Sequence, residues 1–273
     1  MIRPRDVFPG VQAFAVRTPT LLPATHTNSY ALGSSEVILV EPSTPYEDER
    51  RAWVAWARAL PSQGRTPIAI VATHHHEDHI SGAEFLSHEM GLPLWAHEAT
   101  AARLDQSVQI ARMLREGEIL LDSWRVLHTP GHAPGHICLY DTTTGALVCG
   151  DMVASVGTIL IAPGDGDMRI YLEQLARLEA LGARVALPAH GDPIDEPSAL
   201  FRRYIAHRMM REEKIVNALR GRERTVADLV PDAYADTPAH LWPIAALSLQ
   251  AHLDKLVGEG RVALRENVYR LLS

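Results

Sequence analysis

The densest group of potentially reactive side chains lies in one run of seven residues, Thr73-His-His-His-Glu-Asp-His79. Its spacing is His-x-His-x-Asp-His, formed by His74, His76, Asp78 and His79. With 14 histidines in 273 residues, three at fixed offsets arise by chance at about 10⁻⁴ per start position. Imidazole nitrogens and carboxylate oxygens are ligands that Zn²⁺ prefers. Because the run is internal, unlike a terminal histidine tag, and directly follows an apolar segment, it predicts a metal site rather than a solvated loop.

The spacing also indicates how these ligands divide. In an extended segment, alternate side chains point the same way, so His74 and His76 would face one ion. Asp78 and His79 fall just beyond them and would face a second ion nearby. The run therefore supplies some of the ligands of two adjacent metal sites, and each site needs further ligands from elsewhere in the chain.

Three later positions offer the missing ligands. They are His132 in Thr129-Pro-Gly-His132, Asp151 after the apolar run Leu147-Val-Cys149, and His190 in Pro188-Ala-His190-Gly191. Each follows a segment that reads as a strand, and two glycines around His132 allow backbone to approach a metal closely. A lone histidine after a strand is usually structural, but the three positions in this order predict one shared site.

The remaining sequence predicts the elements that would hold these ligands. β-rich runs alternate with helical spacing up to about Pro197, which favours layered α/β packing; Val153–Ile161 is predicted as a further strand. Beyond Pro197, the pattern predicts an Arg-rich helix over Leu200–Leu219, a short helix capped by Thr225, a third helix over His240–Val257 and a terminal hairpin. This order is typical of a winged-helix-like module. The predicted domains are residues 1–196 and 197–273.

Taken together, the four motifs resemble those of the metallo-β-lactamase-fold hydrolases, over about residues 10–195. The resemblance implies an αββα sandwich with a dinuclear metal site at one edge. It assigns His74, His76 and His132 to the first ion, Asp78, His79 and His190 to the second, and Asp151 as a bridge between both. Two divalent ions are implied, with zinc expected and iron or manganese as alternatives. Glu41 departs from the family pattern, since many members have Asp there.

Further residues indicate which subgroup of the family the chain resembles. True β-lactamases of this fold generally lack Asp at the position of Asp151 and are exported, which argues against β-lactam hydrolysis. The first ten residues mix charges and prolines where a signal peptide needs an apolar run, and Cys138 and Cys149 cannot form a disulfide framework, so we expect a cytoplasmic protein. His76 keeps the hydrolase pattern, whereas oxygen-reducing diiron relatives have Glu there. The segment Tyr204–Lys214 resembles the winged-helix extension of the lactamase-like endoribonucleases.

The resemblance implies a hydroxide held between two metal ions, with Asp78 as the catalytic residue that orients it. We expect hydrolysis of a small-molecule ester or thioester, with a single-strand endoribonuclease as the alternative and a nucleic-acid-binding regulator as a third hypothesis.

The charges are unevenly distributed along the chain. Residues 201–273 carry 12 Lys and Arg against 9 Asp and Glu, while the preceding residues carry 14 Lys and Arg against 24 Asp and Glu. An acidic main body argues mildly against binding phosphate backbones. The predicted helix His240–Val257 holds one Lys and no Arg, which are too few basic side chains for contacts with the phosphate groups of a nucleic acid. The tail is expected to pack beside the site or at a homodimer interface, and no membrane contact is expected.

Overall fold

The computed structural model describes residues 3–272, which fold into two compact units. The first unit comprises residues 3–129, 134–158 and 182–197. The second comprises residues 130–133, 159–181 and 198–272. Both units therefore combine segments that are distant in the sequence.

Helices and strands alternate along most of the chain. The helices are α1 (Glu47–Ala59), α2 (Glu77–Ile80), α3 (Ala83–Met90), α4 (Glu98–Ala101), α5 (Met168–Leu181), α6 (Pro197–Leu219), α7 (Val226–Ala233) and α8 (Trp242–Gly258). The strands are β1 (Arg5–Phe8), β2 (Val11–Arg17), β3 (His26–Leu32), β4 (Glu36–Val40), β5 (Thr66–Val71), β6 (Leu94–His97), β7 (Ile110–Leu114), β8 (Ile119–Leu120), β9 (Trp124–His128), β10 (Ile137–Asp141), β11 (Ala146–Gly150), β12 (Val185–Pro188), β13 (Glu223–Arg224), β14 (Val262–Arg265) and β15 (Val268–Leu271).

The first unit contains two sheets packed face to face. One has seven strands in the order β1 to β7, and the other has five in the order β12-β11-β10-β9-β8. A buried apolar cluster joins them, with Ile38 and Val71 from one sheet meeting Val126 and Val148 from the other. Helices α1 and α3 cover the opposite face of the seven-stranded sheet through a second buried cluster. The layers of this unit are therefore helix, sheet and sheet.

Strand direction determines where the polar side chains emerge. β4 and β5 pair in parallel, as do β11 and β12. The carboxyl ends of parallel neighbours lie at the same edge of a sheet. The chain thus leaves β4 at Glu41 and β11 at Asp151, and the histidine-rich run follows β5 within three residues.

One strand was not predicted from the sequence, and one predicted strand is wrong. Strand β2 gave no alternating signal because six of its seven residues are buried. The prediction of a strand over Val153–Ile161 is wrong, and this segment is irregular. Its polar groups find other partners: Ser155 N donates to the carbonyl of His190, and the carbonyl of Leu160 faces Nδ1 of His132.

The second unit has its own core. Helices α6, α7 and α8 pack with the small sheet β13-β15-β14 around Ile215, Leu229, Leu253 and other apolar side chains. Thr225 forms a reciprocal capping box with Asp228 at the start of α7, as the sequence predicted for this cap. Within residues 3–272, no helix is both long and apolar enough to cross a bilayer.

Candidate metal centre

Two imidazoles and two carboxylates face one another at the edge of the first unit. His79 Nε2 lies 3.5 Å from Asp151 Oδ2 and 3.7 Å from Asp78 Oδ1. His190 Nε2 lies 3.4 Å from the other oxygen of each carboxylate. Each carboxylate thus presents one oxygen to each histidine, and the structure brings these four predicted ligands together.

This arrangement fits a cation better than a set of hydrogen bonds. The separations of 3.4–3.7 Å are long for hydrogen bonds. Ligand atoms that surround one tetrahedral ion at about 2.1 Å lie about 3.4 Å apart. His79 Nε2 is buried and has no hydrogen-bond partner in the part of the chain that the structure describes. The four residues therefore fit a divalent ion.

The ionisable groups around the four facing side chains favour a positive charge between them. Burial opposes protonation of His190, but the adjacent Asp151 outweighs it and raises the pKa of His190 to about 10. For His79, burial is likewise outweighed by Asp78 and Asp151, so its pKa is also raised. Burial opposes ionisation of Asp78 and Asp151, yet the neighbouring histidines hold both pKa values below their usual range. Two ionised carboxylates therefore stabilise cationic charge here.

His74 and His76 form a second pair of candidate ligands. Nε2 of His74 lies 3.0 Å from Nδ1 of His76. Nδ1 of His74 faces the hydroxyl of Thr73 at 3.0 Å, and that hydroxyl donates its only proton to Glu41. The hydroxyl oxygen must therefore accept from His74 Nδ1, which leaves Nε2 of His74 with its lone pair.

Glu41 supports both groups of ligands, a role that its departure from the family pattern did not predict. Its Oε1 atom accepts from the Thr73 hydroxyl at 2.5 Å and lies 3.1 Å from Nδ1 of His79. A carboxylate on the far nitrogen of a metal-binding histidine fixes its orientation and raises its basicity. Glu41 is fully buried and has a left-handed backbone with φ of 62°. Its place at the end of β4 is the only sequence signal for this role.

His136 supports the backbone at Asp151. Its Nε2 atom accepts from the backbone N–H of Asp151 at 3.1 Å, so its Nδ1 carries the proton that faces Thr129 Oγ1 at 2.8 Å. A side chain at Gly150 would meet Nε2 of His136 at 2.5 Å. Glycine is therefore required where β11 delivers Asp151.

The segment carrying His190 is held by residues near the start of β3. The Asn28 amide donates to the carbonyls of Pro188 and Gly191, and the Tyr30 hydroxyl donates to that of Pro188. Nδ1 of His190 faces the carbonyl of His26 at 2.9 Å, which leaves Nε2 for the centre. These contacts hold the segment that carries His190 against β3.

His132, the remaining predicted ligand, belongs to the second unit. It is buried, and its Nδ1 lies 2.9 Å from the backbone carbonyl of Leu160 in the same unit. A carbonyl can only accept, so Nδ1 carries the proton and Nε2 has the lone pair that a metal requires. The assignment of His132 to the first ion stays a prediction.

Further residues with potentially reactive side chains are not part of this four-residue arrangement. Glu77 is exposed. His97 caps α4 by accepting from Ala99 N, and its ring stacks on His128 with centroids 3.9 Å apart. Cys138 and Cys149 are buried and form no disulfide within residues 3–272.

Comparisons with known proteins show the family to which the chain belongs. A family model described as the metallo-beta-lactamase superfamily matches residues 22–190, and one described as the beta-lactamase associated winged helix domain matches residues 225–267. The chain therefore belongs to the metallo-beta-lactamase superfamily. The predicted α/β fold with a C-terminal winged-helix module is confirmed. Both matched ranges lie within the predicted domains.

Individual relatives resemble nearly the whole chain. The chain is 27% identical over 268 residues to the Beta-lactamase-like protein 2 homolog of Drosophila melanogaster, covering 91% of this chain and 88% of that one. It is 28% identical over 250 residues to a protein of Aspergillus chevalieri named atrochrysone carboxyl ACP thioesterase, covering 87% and 77%. A metallo-beta-lactamase family protein from Thermus thermophilus superposes with a TM-score of 0.78 at 27% identity, covering 97% of this chain and 99% of that one. The chain is thus a hydrolase-type member of the superfamily.

Proposed function

We propose that this protein is a dinuclear metal-dependent hydrolase acting on a small-molecule thioester or ester. The cage of His79, His190, Asp78 and Asp151, with ligand atoms 3.4–3.7 Å apart, carries the proposal. His74 and His76, with His132 as the family resemblance assigns it, would hold the first ion. Asp151 would bridge to the second, which Asp78, His79 and His190 complete. Zinc is the expected metal, with iron or manganese as alternatives.

When bound, the two ions would polarise the scissile carbonyl and lower the pKa of water towards about 7. The protein's own residues set the geometry. Asp78 is ionised at neutral pH because its pKa is held below the usual range, so it accepts a hydrogen bond from the attacking water and orients it. Glu41 keeps Nε2 of His79 directed at the centre, and His136 fixes the backbone of Asp151.

The ease with which the leaving group departs favours a thioester as the substrate. A thiol has a pKa of about 8.5, so a thiolate departs near neutral pH without a proton donor. An amide nitrogen, in contrast, needs a general acid, and neither the sequence nor the residues of the cage offers an obvious one. The thioesterase name of the Aspergillus relative supports the same substrate class. The two buried thiols, which form no disulfide within residues 3–272, suit a reducing compartment such as the cytoplasm.

The experiment compares thioesters, lactones and labelled single-stranded RNA as substrates, with elemental analysis of the same preparation. We expect about two metal ions per chain and thioester hydrolysis that a chelator abolishes and zinc restores. Activity on RNA alone would favour the endoribonuclease. Full activity without bound metal would overturn both hypotheses.

A matched pair of variants tests whether Asp78 takes part in the reaction. Asp78→Asn removes the charge that orients the water and should lower turnover at least 100-fold. Asp192→Asn removes an exposed carboxylate that pairs with Arg5 near the same segment as His190, and it should leave turnover unchanged. Equal activity in the two variants would remove Asp78 from the reaction.

A further inference from the structure

The segment Tyr204–Lys214, which resembles the extension of the endoribonuclease subgroup, buries three charged side chains on α6. Arg208 and Glu212 are each 2% exposed, and Arg211 is 8% exposed. Burying a charge is costly unless it is paired or hydrogen-bonded. The partners of these three residues therefore indicate what the segment does.

Two of the three charges fasten the C-terminal module. Arg211 donates to the carbonyl of Ala233 at the end of α7 and to Asp236. Glu212 accepts from Lys255 on α8 and from Arg261 before β14, both at 2.6 Å. Arg211 and Glu212 thus attach the winged-helix elements to α6.

Arg208 has a different partner. Its guanidinium donates to the backbone carbonyl of Ile159 and lies over the ring of Tyr171 on α5, 5.7 Å from the centroid. Ile159 and Ile161 are buried apolar residues, while the carbonyl of Leu160 between them faces Nδ1 of His132. Arg208 therefore anchors the backbone immediately before the carbonyl that orients His132.

The loop carrying His132 is also held from its other side. The carbonyl of Gly131 accepts from Asp167 N at 2.8 Å, and a side chain at Gly131 would meet the backbone of Tyr171 at 2.4 Å. Residues 130–133 are thus packed against the start of α5. Arg208 contacts both Tyr171 and the 159–161 segment, so it joins the two supports of the loop.

We propose that Arg208, on α6, is a positioning residue for His132. The inference rests on the proposed function in one respect, the role of His132 as a ligand. It gives this arginine of α6 a task that requires no nucleic acid. Arg208 sets the orientation of an imidazole through two consecutive backbone carbonyls and touches no substrate.

The test compares Arg208→Met with Arg211→Met. Both variants remove a buried guanidinium from α6, but only the first loses the contact with Ile159. Zinc affinity for each of the two ions is measured in the full chain by competition with a chromophoric chelator, beside the thermal unfolding midpoint. Because disturbing residues that orient metal ligands costs about 10–100-fold in affinity, we expect that loss for one ion in Arg208→Met. Arg211→Met should lower the unfolding midpoint and leave both affinities unchanged.

A double-variant cycle separates positioning from a general loss of stability. If Arg208 acts through His132, Arg208→Met should have little further effect on zinc affinity in a His132→Ala background. Arg208→Lys keeps the charge and one donor, should partly restore affinity, and serves if the Met variant does not fold. Wild-type affinities in a folded Arg208 variant, or an equal loss in Arg211→Met, would overturn the inference. Absence of binding of zinc, iron and manganese by the wild-type chain would instead overturn the proposed function.

Discussion

At the scale of single residues, one carboxylate links the two groups of candidate ligands. Glu41 reaches His74 through the Thr73 hydroxyl and contacts His79 directly. Glu41→Gln keeps the side-chain size but cannot support both imidazoles with a full negative charge. We expect zinc affinity to fall about 10–100-fold, measured by chelator competition. Glu49→Gln alters a buried carboxylate on α1 that pairs with Arg3 and should leave zinc affinity unchanged. A similar loss of affinity in this variant would contradict the role of Glu41.

Asp151 provides the second test at this scale. Its carboxylate lies between His79 and His190, so Asp151→Asn should remove the negative charge that offsets repulsion between two dications. Bound metal should fall below two ions per chain, and turnover should fall at least 10–100-fold. Asp141→Asn is the control, because Asp141 is a buried turn former at the end of β10 that accepts hydrogen bonds from Thr143 and Thr144. Two ions and normal turnover in Asp151→Asn would show that Asp151 is also only a turn former.

At the scale of elements, the sequence predicted those strands and helices that local residue patterns determine. Strands β5, β11 and β12 and the three helices of the tail were recognisable from apolar runs, caps and glycines, and the ligands after them were identified by spacing. Strand β2 was not recognisable because burial of both faces removes alternation. The support from Glu41 and His136 depends on which strand ends become neighbours, and no local pattern encodes that pairing.

The end of β11 illustrates how an element delivers a ligand. Gly150 has φ of 48°, and a Cβ there would meet His136 at 2.5 Å. Gly150→Ala should therefore displace His136, lower the free energy of unfolding by about 1–3 kcal/mol and weaken zinc binding. Gly182→Ala is matched, since Gly182 has φ of 68° but nothing within 4 Å of the added methyl. Unfolding by urea and zinc titration should show a loss of affinity only in Gly150→Ala.

At the scale of the whole molecule, the predicted ligands are distributed over distant parts of the chain. Asp78, His79, Asp151 and His190 belong to the first compact unit, although Asp78 and His190 are more than one hundred residues apart in the sequence. His132 belongs to the second unit, together with most of α6 and the winged-helix elements. The sequence placed a boundary near residue 197 from composition and helix pattern. It could not indicate that residues 130–133 and 159–181 associate with the tail, because that association arises from contacts such as Arg208 with Ile159.

The buried ion network of the second unit predicts how its stability depends on pH. Burial opposes ionisation of Glu212, but the nearby imidazole of His252 and hydrogen bonds from Lys255 and Arg261 outweigh it and lower the pKa of Glu212 from 4.5 to about 2. A carboxyl whose pKa is lower in the folded state stabilises the fold above its unfolded pKa. That contribution is fully present above about pH 5 and is lost as the pH falls from 4.5 through 2.

Glu212→Gln should therefore destabilise the second unit at neutral pH, by about 1–3 kcal/mol, because Lys255 and Arg261 lose their buried carboxylate partner and keep only Glu259. The difference in unfolding free energy from the wild type should shrink as the pH falls from 4.5 to 2. Glu213→Gln alters the neighbouring exposed carboxyl and should show little difference at any pH. A difference for Glu212→Gln that stays constant across this range would mean that the side chain acts through its shape, so that its charge does not fasten the winged-helix elements to α6.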